Sequence, residues 1–131
     1  MDAFDADVLI YAASHDHPAG PGVRLVLERE RGIGSVLLLP ELLSKPLRLG
    51  HDDETRALGR VLRRLDLHPV DRAVAERATV LAARYRLRAA DATHLATAIL
   101  HGADRFVTNN HKDFRQEAIT ELRVTYPDDL T

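Results

Sequence analysis

Residues 86–114 read RLRAADATHLATAILHGADRFVTNNHKDF, and the order of elements in this stretch decides the fold class. Ala90 to His101 predicts a helix, which Gly102 stops at its C-terminal cap. Arg105–Thr108 (RFVT) then reads as a strand and runs into a polar cluster, Thr108-Asn109-Asn110. A helix, a glycine and a short apolar strand in succession are the working parts of a βαβ unit.

The same alternation continues outward. Downstream, Leu122–Tyr126 (LRVTY) reads as a further strand. Upstream, Asp71 starts a helix to about Tyr85 with Val74, Ala78, Leu81, Ala82 and Tyr85 inward, and Leu67–Val70 reads as a brief strand. Asp52–Leu65 is the clearest helix, with Leu58, Val61, Leu62 and Leu65 on one face and Arg56, Arg60 and Arg63 on another. Gly34–Leu39 (GSVLLL) suits a buried strand, followed by a helix (ELLSKPLR) that opens at Pro40 and is expected to break near Lys45–Pro46. Val23–Arg31 has helical spacing, Pro18–Gly22 reads as a turn, and Phe4–Ala12 (FDADVLIYA) reads as the first strand. Strands separated by helices predict an α/β fold, a doubly wound parallel sheet.

The chain has 131 residues, 45% of them hydrophobic, which is one domain's worth with enough apolar surface for a core. Cys is absent, excluding disulfides, thiolate zinc sites and a cysteine nucleophile. No apolar run reaches the ~18–20 residues of a membrane span. Asp2, Asp5 and Asp7 precede any basic residue, the reverse of a secretory signal, so a cytoplasmic location is expected. The net charge of −2 is uneven: residues 1–21 carry −4, residues 22–90 carry +5 and residues 91–131 carry −3. Sixteen of the 18 basic residues are Arg, the side chain suited to phosphate. Arg56, Arg60 and Arg63, or Arg84, Arg86 and Arg88, are the candidate phosphate contacts; a solvated face or a GC-rich genome accounts for them equally well.

Nucleotide-binding glycine loops, nucleophile elbows and paired zinc histidines are missing. With three Ser and no Cys, carboxylates remain the candidate chemistry. Asp5 and Asp7 interrupt the apolar first segment and, two apart on a strand, would share a face near its C-terminal end. Glu41 follows the strand GSVLLL and Pro40, Asp91 stands in the first turn of an Ala-rich helix with His94 one turn on, and Asp113 follows Asn110. First-turn acids are also ordinary helix caps, and His94 reads first as a packed histidine. Ligand crevices of open α/β sheets lie outside the strands' carboxyl ends. Acids gathered there, one per junction, would suit Mg²⁺ or Mn²⁺ and phosphodiester hydrolysis.

FDADVLIYA, PELLS and the 86–114 stretch, in that order, resemble the PIN-domain family, specifically the VapC-type toxin ribonucleases, over essentially the whole chain. The resemblance implies a single PIN domain over residues 1–131, a central parallel sheet with helices on both faces, and Mg²⁺- or Mn²⁺-dependent cutting of RNA. It makes Asp5, Glu41 and Asp91 the first three acidic positions, Asp5 and Asp91 the direct metal ligands, and Thr108 the hydroxyl that holds Asp5. It also implies a VapB-type antitoxin partner and a homodimer. Two positions depart from the family's pattern. Ala6 replaces a common Thr or Ser, and Asn110 stands where a fourth Asp is common, which leaves Asp113 to supply that carboxylate and Asn110 to orient water. A haloacid-dehalogenase-like phosphatase and a weakened PIN fold that only binds RNA or protein are the alternatives.

Overall fold

A computed structural model describes residues 1–130. In chain order the elements are β1 (Asp2–Phe4), α1 (Ala6–Ala13), α2 (Gly20–Arg29), β2 (Gly32–Ser35), α3 (Leu38–Arg48), α4 (Asp52–Leu62), β3 (Leu65–His68), α5 (Arg72–Tyr85), α6 (Ala89–Leu100), β4 (Arg105–Val107) and β5 (Arg123–Thr125). A single 3-10 turn follows at Pro127–Asp129. The five strands form one sheet in the order β3-β2-β1-β4-β5, parallel throughout. The chain therefore winds one way from β1 to β3, then returns to β1's other side for β4 and β5. That is the doubly wound arrangement read from the alternation, and it opens a crevice between the C-terminal ends of β1 and β4.

Side-chain alternation along the strands builds two cores. Ala3 and Phe106, paired in register, face the layer of α5 and α6 together with Ile33, Leu81, Leu95 and Phe114. Phe4 and Val107, the next pair, face α1 to α4 with Val8, Leu9, Val23, Leu38, Leu58 and Leu65. Helices thus cover both faces, as expected. Helix α6 is buried nearly all round, at Ala92, His94, Leu95, Ala96, Thr97 and Ala98, and its small residues let it lie close to the sheet.

Gly32 shows how tightly β2 is packed. A Cβ there would stand 2.6 Å from both Leu65 Cδ2 and Phe4 Cε2. Gly32→Ala should lower the denaturation midpoint with an unchanged slope, by about 1–3 kcal/mol of overpacking; an unshifted midpoint would mean these neighbours move aside freely.

Four expectations need correction. The run from Phe4 to Ala12 is not one strand: β1 ends at Phe4, Asp5 caps α1, and the apolar residues continue as a helix. Asp5 and Asp7 therefore do not share a strand face. The strand expected at 34–39 is β2, shifted to 32–35, and Leu38 already begins α3. Pro46 does not break that helix, because Leu38, Leu42 and Pro46 form one buried stripe whose packing offsets the missing hydrogen bond. Gly20 to Gly22, expected in a turn, start α2, where Pro21 fills an early position that needs no N–H donor.

Candidate active site

The acids gather at the β1–β4 crevice. Asp5 leaves the end of β1, with its amide donating to the Val107 carbonyl of β4 at 2.9 Å. Its carboxylate is buried, 6% exposed, and accepts from the Ala6 amide at 2.9 Å and from the Thr108 hydroxyl at 2.8 Å. The Thr108 hydroxyl in turn accepts from the Asn110 amide at 3.1 Å. The Asn110 side chain and Asp113 bind each other reciprocally, Nδ2 to the carboxylate at 3.0 Å and the Asp113 amide to Oδ1 at 3.2 Å. One chain of hydrogen bonds thus runs from Asp5 to Asp113. Residues 111–114 form turns, and Asp113 is held by Asn110.

Asp91 stands in the first turn of α6, whose N-terminus points into the same crevice. Burial raises its pKa, and the negative charges of Asp5 and Asp113 raise it further. Burial likewise raises Asp5, against the opposing pull of the Thr108 hydroxyl and His94. Asp7, in the first turn of α1, accepts from the Val8 amide at 2.7 Å and the Asn109 amide at 3.0 Å. Burial, then the charge of Asp5, push it up to about 6. Each of these carboxyls is thus harder to ionise than a free one, because like charges crowd a poorly solvated place.

Glu41, in the first turn of α3, is paired through Oε1 with Nε2 of His94. The His94 side chain is only 2% exposed, so a histidine that reads as simple packing instead sets the direction of an acid 53 residues away. Nothing local in the sequence connects the two.

Asp5, Glu41, Asp91, Asp113, Thr108 and Asn110 are therefore brought to one place, joined by Asp7 and His94. Among the described residues, no three His, Asp or Glu side chains converge closely enough to enclose an ion by themselves. The donors are nonetheless hard oxygens carrying excess negative charge. Mg²⁺ is commonly held by one or two carboxylates with water filling its remaining positions, and this set fits that mode. The Arg clusters are only partly available: Arg56 pairs with Asp53 and Arg84 with Glu121.

The PIN domain family model matches residues 3–119, and the chain belongs to that family. No match is found among curated proteins. Among solved structures, a toxin–antitoxin complex from Klebsiella pneumoniae is 25% identical, with a TM-score of 0.77 over 97% of this chain and 98% of its own. The DNA-bound VapBC of Salmonella typhimurium is similar at 18% identity and a TM-score of 0.77, covering 96% of this chain and 97% of its own. VapBC2 from Rickettsia felis, bound to a promoter DNA fragment, is similar at 18% identity and a TM-score of 0.75, covering 95% and 97%. The last two show a shared fold.

Proposed function

We propose that the whole chain is a single PIN domain acting as a divalent-metal-dependent endoribonuclease, the toxin half of a toxin–antitoxin pair working in the cytoplasm. The observation that carries this reading is the acidic cluster at the crevice between β1 and β4 of a PIN fold. The toxin–antitoxin character of the Klebsiella complex supports the biological role and a VapB-type antitoxin as partner; a homodimer is a further expectation of the reading. Among the described residues no helix is long and apolar enough to cross a membrane.

Asp5 and Asp91 would hold Mg²⁺ or Mn²⁺ directly, with Glu41 and Asp113 acting through water. When bound, such an ion polarises the scissile phosphate and lowers the pKa of water. Thr108 keeps the Asp5 carboxylate in one orientation. His94 does the same for Glu41, and Asn110 ties Asp113 to the loop that carries Thr108. The phosphatase alternative loses its basis, because Asp5 and Asp7 do not stand on one strand and the fold is that of the PIN family. Incubating the protein with mixed RNA and with a small phosphomonoester separates the two chemistries. Internal RNA cuts that stop on chelation support the proposal; phosphate release from the monoester alone contradicts it.

The role of Asp113 has its own test. Asp113→Asn should raise the Mn²⁺ concentration for half-maximal cleavage by about tenfold, the scale of removing an outer-sphere partner, and Asn110→Asp in that background should partly restore it. Lower thermal stability with unmoved metal dependence would make Asp113 a structural residue of the loop. For the Arg residues, replacing Arg60 and Arg63, or Arg86 and Arg88, should flatten the salt dependence of RNA binding by ~1 log–log unit for each phosphate no longer neutralised. An unchanged slope in both double variants would mean that these charges only face solvent.

A further inference from the structure

Four rings at the mouth of the site have no part in the nuclease chemistry. Asp7 and Tyr11 stand one turn apart on α1 and share a face. Tyr11 stacks on His17, with ring centroids 3.7 Å apart and planes 7° from parallel. The Ala19 amide donates to His17 Nδ1 at 3.0 Å and fixes that ring's plane. On the other side His111 stacks on Tyr126, 3.6 Å apart and 12° from parallel, and the Tyr126 hydroxyl donates to the Phe114 carbonyl at 2.8 Å.

Asn109 joins the two stacks. Its Nδ2 donates to the Tyr11 hydroxyl at 3.2 Å, and its Oδ1 lies 3.1 Å from His111 Nε2. Its backbone amide is the one that binds Asp7. The Asp7 carboxylate therefore sits between two oriented ring pairs, beside Asp5 and Asp91. Tyr11 and Tyr126 are half-buried with one side against the two cores, whereas the histidine stacked on each is the outer ring, His17 half-buried and His111 exposed.

We infer that the two stacks are nucleobase platforms, which grip single-stranded bases on either side of the phosphate to be cut. The crowded acids make this mouth negative, so backbone phosphates are not attracted to it without a cation. Uncharged bases meet no such repulsion, and the rings offer them a surface to stack on. Unpaired RNA bases are commonly held by stacking on Tyr or His side chains, and such stacking tolerates any base because every base has a π-face. The inference rests on the nuclease reading and names the part of the RNA that the site holds.

The test is binding of short single-stranded oligoribonucleotides carrying 2-aminopurine at successive positions, read by stopped flow before turnover. Stacking quenches that base. Wild type should quench at two positions bracketing the cut. His17→Ala and His111→Ala should each weaken binding roughly tenfold, mostly as a higher KM in cleavage, and His17→Phe and His111→Phe should restore it. Alanine variants that bind and quench like wild type would overturn the inference and leave the rings to the fold or to a protein partner. Phe variants as weak as Ala would overturn it too, because the hydrogen bonds of the imidazole rather than its ring face would then be what matters. RNA cleavage without quenching defeats the platforms and spares the nuclease; quenching without cleavage does the reverse.

Discussion

Asp5→Asn and Asp91→Asn should each abolish RNA cleavage at saturating Mg²⁺, by at least ~10³-fold in kcat/KM. Each change removes a carboxylate from a site where a bound cation would supply several kcal/mol of charge stabilisation, and each ~1.4 kcal/mol is a factor of ten. The neutral amide keeps the size of the side chain. At Asp5 its one oxygen can still accept from the Ala6 amide, while its Nδ2 would donate to the Thr108 hydroxyl and so reverse the other bond that fixes this residue. Both variants should therefore fold, with melting temperatures no lower than wild type in the absence of metal, since each relieves crowded like charges. Full activity in either variant would remove that residue from the site.

The second large effect is on stability, and its sign follows from the raised carboxyls. Asp7 has a folded pKa of about 6 against an ordinary value of 3.8; Asp5 and Asp91 are raised in the same direction. Between the ordinary and the raised values the unfolded chain ionises while the folded one stays protonated. Folded protein then binds more protons, so metal-free stability falls as pH rises through about 4 to 6 and stays low above it. Asp7→Asn should raise the melting temperature at pH 7.5 and leave it nearly unchanged at pH 4. A divalent ion reverses the same penalty. At about a hundredfold excess over its Kd it adds ~2.7 kcal/mol, on the order of 10 °C in melting temperature for a chain of this size. The gain should vanish near pH 4, where protons compete for the same oxygens. A metal-independent melting curve at pH 7.5 would leave the crowded acids without their proposed purpose.

Much of this architecture is legible in the sequence because helices and strands alternate with clear stops. The Gly102 stop and the RFVT strand stand close to where their residue patterns put them, and the amphipathic helix starts at Asp52 as expected but ends at Leu62, so that Leu65 opens β3 instead of closing the helix face. Errors concentrate where periodicity is ambiguous. FDADVLIYA is so continuously apolar that a three-residue strand and a helix merge in it, since a short apolar run fits both periods. Asp5 marks the boundary, as a carboxylate is a good N-cap, and its bond from the Ala6 amide is the local sign of the switch. Pro46 misleads for the opposite reason: a local rule is overridden by packing along one helix stripe.

The acids of the site can be nominated from strand ends and first helical turns, because topology carries those positions to one edge of the sheet. Their partners cannot. The His94–Glu41 pair spans two helices on opposite faces of the sheet, and the Asn109 link between Asp7, Tyr11 and His111 depends on a loop conformation. Only the four-residue spacing of Asp7 and Tyr11 is open to reading, and only once their segment is known to be a helix.

The most direct test of the nuclease reading is cleavage of a structured, end-labelled RNA by the full chain, first stripped of metal with a chelator and then titrated with Mn²⁺. The acidic crevice predicts no cutting in chelator, internal cuts that return with Mn²⁺, and none at any Mn²⁺ concentration when Asp5 and Asp91 are both Asn. Cutting that persists in chelator, or that survives in the double variant, would contradict it.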